Sequence, residues 1–234
     1  MDERRPGGAP TRSGGRLTRD EVVAAGARLL DEEGVGGLSM RRLAGILGTG
    51  PATLYWHVRD KDELLGLILE DTSRSIGIPS EGGWDERLAA LLLEARKALL
   101  PRPALIGVLW GTGWEDLGPE TLRVADAMVG LVAESGLPER EVADAYFAVL
   151  VFLYGFVWGE AMSAGNRAYG NERASHPAEY LNLTKYGPGA DPGGMDRRFR
   201  NGVSRLIGGI RARVAEAAAP DGPATAPGVP PRST

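Results

Sequence analysis

Two short helical stripes, held apart by a three-residue glycine turn, constrain this chain more than any other feature in it. Ser39 is a candidate N-cap, and Met40, Leu43, Ala44 and Leu47 then recur at i, i+3, i+4 and i+7, one buried face of a helix. Gly48-Thr49-Gly50 forms a tight turn. Pro51 suits the first position of the next helix, where its missing N–H costs nothing, and Leu54 and Val58 mark that helix's inward face. Thr18 to Glu21 reads as a capping box that opens a preceding helix, with Val22, Val23, Leu29 and Leu30 apolar and Gly34 at its end. Asp60 to Glu63 is a second cap signature and opens a long helix through about Ile76.

Helical period continues to about Ala218. Gly77 to Gly83 breaks it, Trp84 to Leu100 resumes it, and Pro101 and Pro103 start a short helix. Trp110-Gly111-Thr112-Gly113-Trp114 reads as a loop. Helices are then expected over Pro119 to Ser135, closed by Gly136, over 138–163, and over 195–218, with a short one near Ala178 to Tyr186 inside a polar connection. No segment keeps a strand period, so the fold class is all-α. The expected domains are a Pro-, Gly- and Arg-rich flexible arm over 1–16, a three-helix helix-turn-helix domain over 17–63, a helical effector-binding and dimerisation domain over 64–218, and a Pro-rich disordered tail over 219–234.

Composition narrows the chemistry. The chain has 234 residues and no Cys, which excludes disulfides and thiolate chemistry, and only two His, which excludes a His-rich metal site. The N-terminus has no apolar core of a secretory signal, and no run of 18 apolar residues occurs, so no segment is expected to span a membrane. A soluble cytoplasmic protein, with no membrane partner, follows as the expectation. There is no nucleophile–base pair, no G-x-S-x-G and no phosphate loop, so neither a catalytic residue, nor a metal ligand, nor a cofactor is assigned. Glu115, Asp116 and Glu120 gather at a helix start, where the dipole accounts for them.

Charge is uneven along the chain. Residues 1–61 hold ten Arg or Lys against eight Asp or Glu, whereas the chain as a whole carries a net charge of −4. Positive charge gathered at the N-terminal end suits a polyanion, and it also suits an ordinary solvated surface. The helix-turn-helix decides between the two. In that motif the second helix enters the major groove N-terminal residues first. Leu54 and Val58 anchor it inward, leaving Pro51, Ala52, Thr53, Tyr55 and His57 to face outward. Thr53 offers a hydroxyl and a methyl to base edges, Tyr55 and His57 donors to phosphate, and Lys61 a charge at the start of the next helix. Trp56 is expected to wedge between the third and fourth helices.

Leu38-Ser39-Met40-Arg41-Arg42-Leu43-Ala44 through Gly48, followed by Thr53-Leu54-Tyr55-Trp56-His57-Val58 and Lys61, resembles the DNA-binding domain of the tetracycline-repressor (TetR) family, without a gap from about Thr18 to Leu69. The Leu-Tyr-Trp-His-Val run points to the branch nearest the tetracycline repressor, and Trp84, the Gly111-Thr112 turn and the Tyr154 to Glu160 region carry a weaker likeness further on. The resemblance implies a homodimeric repressor that leaves its operator when a small molecule binds the C-terminal domain. It implies DNA contacts from Met40, Arg41, Pro51, Ala52, Thr53, Tyr55, His57 and Lys61. Pro51 stands where the tetracycline repressor has a base-reading Gln, and Ala52 where it has a Pro, so a different operator is expected, read by Arg41, Thr53 and DNA shape. Arg12 and Arg16, on the arm, are candidates for the adjacent minor groove; the alternative is a solubilising tail.

The helix at 138–163 is apolar all round, from Val142 and Tyr146 to Val157 and Trp158, and a helix of that kind needs cover on every side. The last helix has a stripe at Phe199, Val203, Leu206, Ile207, Ile210 and Val214, and Gly202, Gly208 and Gly209 permit close approach. Packing both helices against their copies gives a dimer, and a two-fold dimer needs a palindromic operator. Candidate effector residues are Leu92, Arg96, Leu109, Trp110, Thr112, Trp114, Met128, Phe147, Val151, Tyr154, Trp158 and Glu160, with Arg96, Thr112 and Glu160 orienting polar groups; aromatics at such spacing also serve as core. By the resemblance, the magnesium-binding His of the tetracycline repressor falls at Leu109, and its drug-binding His and Asn near Gly77 and Leu91, so the expected effector is an apolar or polycyclic molecule other than tetracycline. His176 is read as a surface residue, with a ligand lid as its alternative role. The competing reading of the whole chain is a DNA-binding regulator whose C-terminal domain only dimerises.

Overall fold

The structure, a computed structural model, describes residues 17–165, 179–186 and 194–219. The arm at 1–16 with Arg12 and Arg16, His176, and the tail beyond residue 219 lie outside the described residues. Among the described residues every regular element is a helix.

In chain order these are α1 (Arg19–Gly37), α2 (Met40–Ile46), α3 (Pro51–Tyr55), α4 (Lys61–Arg74), α5 (Trp84–Leu99), α6 (Leu105–Gly111), a 3-10 turn at Trp114–Asp116, α7 (Pro119–Ala133), α8 (Glu139–Gly165), α9 (Leu181–Tyr186) and α10 (Gly194–Ala218). The caps expected from sequence are formed. Thr18 accepts from the Glu21 N–H at 3.2 Å while the Glu21 carboxylate accepts from the Thr18 N–H at 2.9 Å. The Ser39 hydroxyl accepts from the Arg42 N–H, and Asp60 accepts from the Glu63 N–H at 2.8 Å. Gly34 has φ +67°, so regular α1 geometry stops there.

Two compact units result. Of the described residues, the first takes in those up to Arg74 together with Pro101–Thr121; the second comprises Ser75–Leu100 and those from Leu122 onward. In the first, α1 packs on α2 and α4, α2 on α3, and α4 on α6. Its core is Val22, Leu29, Leu30, Leu38, Leu43, Leu54, Val58, Leu64, Ile68 and Leu105. In the second, α5, α8 and α10 pack on one another around Leu88, Leu91, Leu92, Val149, Leu153, Val157, Phe199 and Val203.

One expectation needs correction here. The loop expected at Trp110 to Trp114 is half helix: α6 runs through Trp110 and Gly111, and Thr112 is its C-cap. Pro103 and the buried Leu105 and Ile106 set that helix going, and packing on α4 outweighs the glycine at its end. Among the described residues α8 is long and apolar enough to cross a membrane by length and composition alone, with mean hydropathy 1.7, a test that the core helix of a soluble protein also passes. A count of uninterrupted apolar residues passes over it because Asp144 and Glu160 interrupt the run. In the fold it is pinned by charges at both ends, Glu141 to Arg213 and Glu160 to Arg96, and packed along one side by α5 and α10.

Candidate nucleic-acid interface and effector residues

The turn between α2 and α3 is built from backbone geometry. Gly48 has φ +62°, a region that L side chains seldom adopt, and the Thr49 N–H closes back on the Ala44 carbonyl at 3.0 Å. Gly50 caps α3 through its carbonyl, which accepts from the Thr53 N–H at 3.0 Å. Leu43, Ala44, Leu47, Leu54 and Val58 are all buried, so α3 is fixed from its inner side only. Its other side is open. Pro51, Ala52, Thr53 and Tyr55 are exposed, as is Arg41 on α2, while Met40, His57 and Lys61 are half-buried. Each member of the sequence-derived DNA set between Met40 and Lys61 thus keeps some surface in solvent, although Met40, His57 and Lys61 show only part of theirs.

Trp56 does not wedge between α3 and α4. It is 88% exposed, the most exposed large apolar side chain among the described residues. Leu54 and Val58 are buried, whereas Trp56, at the C-cap of α3 and between them in sequence, is turned to solvent. Sequence reasoning kept it out of the DNA-facing set because a tryptophan usually seeks cover; the 4-residue spacing of Leu54 and Val58 was the signal that it could not share their side.

Cations around α3 differ in how they are held. Arg42 pairs with Glu33, and Arg19 and Arg59 both pair with Glu63, at 2.6 and 3.1 Å. Lys61 donates from Nζ to the Val35 carbonyl at 2.6 Å, tying the start of α4 to the segment of α1 beyond its kink at Gly34. Arg41 makes no ion pair among the described residues. Its charge, like that of Lys61 on a neutral carbonyl, is not offset by a carboxylate among the described residues.

The hydrogen bond from the Arg59 backbone N–H holds the Glu63 carboxyl below its ordinary value of 4.5, against an opposing push from burial, and the Arg59 and Arg19 guanidinia add to it. A depressed folded pKa contributes stability that is fully present above the unfolded pKa and is lost as pH falls through the folded one. In acid unfolding of the full chain, Glu63→Gln is expected to lie below the wild type near neutral pH and to converge with it at low pH. A constant gap down to pH 3 would contradict this account of Glu63.

The candidate effector residues divide between the units. Leu109, Trp110, Thr112 and Trp114 belong to the first; Leu92, Arg96, Met128, Phe147, Val151, Tyr154, Trp158 and Glu160 belong to the second. Leu92 and Met128 are buried in the core of their unit. Trp110, Trp114, Phe147, Val151 and Trp158 are exposed, and Leu109, Thr112 and Tyr154 are half-buried. Burial pushes the phenols of Tyr146 (to about 12) and Tyr154 upward, so both stay neutral.

Arg96 and Glu160 are brought together, chiefly with each other. Arg96 Nε and Nη2 donate to the two oxygens of Glu160 at 2.8 and 2.7 Å, and Nη1 donates to Asp196 at 2.9 Å. Its guanidinium lies over the rings of Phe199 and Phe156, at 5.0 and 5.7 Å from their centroids. Both members of the pair are largely shielded, with side-chain exposures of 11% and 14%. This fork ties α5, α8 and α10 into one body. Asp196, Phe156 and Phe199 were missed as its partners because all three are far away in sequence, Asp196 by 100 residues. Among the described residues no group of three or more His, Asp or Glu is placed to hold a metal ion.

Phe147, Val151 and Trp158 share an exposed face of α8 with Met162, Ala148, Gly155 and Gly159, a face too apolar for a residue-by-residue surface.

Comparison with known proteins agrees with this geometry. The family model described as "Bacterial regulatory proteins, tetR family" matches residues 22–68, and "Tetracyclin repressor-like, C-terminal domain" matches residues 77–214. An HTH-type transcriptional regulator of Saccharopolyspora erythraea is 32% identical, over 84% of this chain and 85% of its own. The HTH-type transcriptional repressor DrrR1 of Streptomyces coeruleorubidus is 35% identical, over 68% of this chain and 57% of its own. Among solved structures, ActR of Streptomyces coelicolor is similar at 27% identity: the apo form has a TM-score of 0.71 over 88% of this chain and 100% of that one, and the complex with (S)-DNPA has 0.67 over 84% and 98%.

Proposed function

This chain belongs to the TetR family of bacterial regulatory proteins, and on that premise we propose that it acts in the cytoplasm as a homodimeric repressor, released from a palindromic operator by an apolar or polycyclic small molecule. Family membership makes it a DNA-binding transcriptional regulator with a helix-turn-helix. The observation that carries the finer reading is the outward side of α3. Thr53, Tyr55 and Trp56 stand exposed beside Arg41, whereas the surrounding arginines are neutralised by carboxylates. Thr53 and Arg41 would read bases, Tyr55, His57 and Lys61 would hold phosphates, and Pro51 and Ala52 would pack on the groove without reading an amide pattern. Trp56 joins this set as a donor or stacking group at the phosphate edge.

Two observations support a dimer. The exposed apolar face of α8 is what a second copy would cover, and α10 exposes Gly208, Gly209 and Ala212, small residues that permit close helix approach. An effector is supported by ActR, a relative solved with a small molecule. The Arg96–Glu160 fork favours one revision: these residues hold the domain together, and an effector's polar groups would find Thr112 or backbone groups instead. The same saturation also favours the second reading, a C-terminal domain that only dimerises.

Fluorescence anisotropy on duplexes from the gene's own upstream region decides between them. Salt-sensitive binding, released by a member of a panel of polycyclic compounds, supports the repressor with an effector; binding that no compound releases supports the dimerisation-only reading. Arg41→Ala is expected to weaken binding by about 1–3 kcal/mol and relax base preference at one position. Tryptophan emission should change on binding in the wild type and much less in Trp56→Phe; equal changes in both would remove Trp56 from the interface.

A further inference from the structure

We propose that Arg102 and Glu70 are positioning residues for DNA reading: they fix α4, and with it the head, in one register on the segment Pro101–Thr121 that carries α6. The inference rests on the DNA-binding reading above. Thr72, Ser73 and Thr121 are the buried polar side chains among the described residues, and all three lie at this junction. Arg102 stands between α5 and α6. Its Nε and Nη2 fork onto Asp31 of α1 at 2.6 and 2.9 Å, and its Nη1 donates to Thr72 Oγ1 of α4 at 2.9 Å. Thr72 Oγ1 in turn donates to the Ile68 carbonyl at 2.7 Å. On another side of α4, the Glu70 carboxylate accepts from the N–H groups of Glu120 and Thr121, at 2.6 and 3.2 Å, and from Thr121 Oγ1 at 3.1 Å. Ser73 and Thr121 share a hydroxyl hydrogen bond at 3.1 Å. Gly118 makes room: a Cβ there would collide with the Glu70 carboxylate.

Physical chemistry gives this arrangement a consequence that an apolar seam would lack. Apolar packing fixes a helix through shape alone, whereas a forked guanidinium and a carboxylate on two amides add directional bonds with one good geometry, and a shift that leaves a buried hydroxyl unpaired is penalised. The junction therefore specifies a discrete position of α4 relative to α6. The four candidate effector residues of this unit, Leu109, Trp110, Thr112 and Trp114, sit on the segment so gripped. Coupling is reciprocal, so DNA binding itself can probe it without a known effector.

The experiment uses the full chain and a duplex selected by binding from a random pool. Hydrogen exchange is followed in peptides covering α3, α4 and α6, with and without the duplex. In the wild type the duplex is expected to slow exchange in α3 and also, by about tenfold, in α4 and α6. Arg102→Met and, independently, Glu70→Gln are expected to keep the α3 protection and lose most of the protection in α6; Arg102→Lys, which cannot fork, should resemble Arg102→Met. Either variant passing the wild-type protection on to α6 would overturn the assignment while leaving DNA binding intact. A pool from which no duplex is selected would overturn the DNA-binding reading and this inference with it.

Discussion

Phe199→Ala is expected to destabilise the second unit by about 3–5 kcal/mol, a large share of the stability of any domain of this size. Phe199 is completely buried. It stacks on Phe152 at 5.4 Å, meets Phe156 edge-on at 5.0 Å, and lies beneath the Arg96 guanidinium at 5.0 Å. Truncation removes the ring from all three and opens a cavity under a forked ion pair. Each of those neighbours sits on a different helix or on a different turn of one, so collapse cannot refill the space without moving α5 or α10. Urea unfolding of the full chain checks this. Phe199→Leu should recover much of the loss, since it restores volume but neither the ring stacking nor the cation–π contact. A Phe199→Ala midpoint within error of the wild type would mean that α10 is not held through this cluster.

The sequence made local features legible and long-range ones opaque, and the reason is physical. Thr18 with Glu21, Ser39 with Arg42, and Asp60 with Glu63 are caps whose partners lie three residues apart, so composition and spacing suffice to see them. The glycines at 34, 48 and 136 sit at positive φ, where a turn had been expected. The Leu54 and Val58 pair showed which side of α3 is inward. The same rule, followed further, would have placed Trp56 outside. By contrast, Arg96 meets Glu160 across 64 residues and Arg102 meets Asp31 across 71, and nothing local encodes either fork. An arginine in a helical stripe looks the same whether it faces water, a ligand or a buried carboxylate. For that reason Arg96 and Glu160 read from sequence as groups for orienting a ligand, whereas in the fold they hold each other.

The face of α8 poses the question with the largest functional effect, and Gly155 answers it cleanly. In the single chain a Cβ at Gly155 meets nothing within 4 Å, and the residue is exposed. A surface substitution in mid-helix at such a site ordinarily changes stability by no more than about 0.5 kcal/mol, and replacing glycine there favours the helix. Gly155→Glu should therefore be harmless to the fold of one protomer. If a second copy covers Phe147, Val151, Trp158 and Met162, the same carboxylate is forced into an apolar, closely packed interface, and the dimer falls apart. Operator affinity then drops by about 10²–10⁴-fold, since two heads no longer share one effective concentration on a palindrome. Sedimentation velocity and anisotropy on one preparation test both steps. A folded monomer with weak operator binding is the expected result. A dimer with undiminished affinity would mean that this face is not the subunit contact.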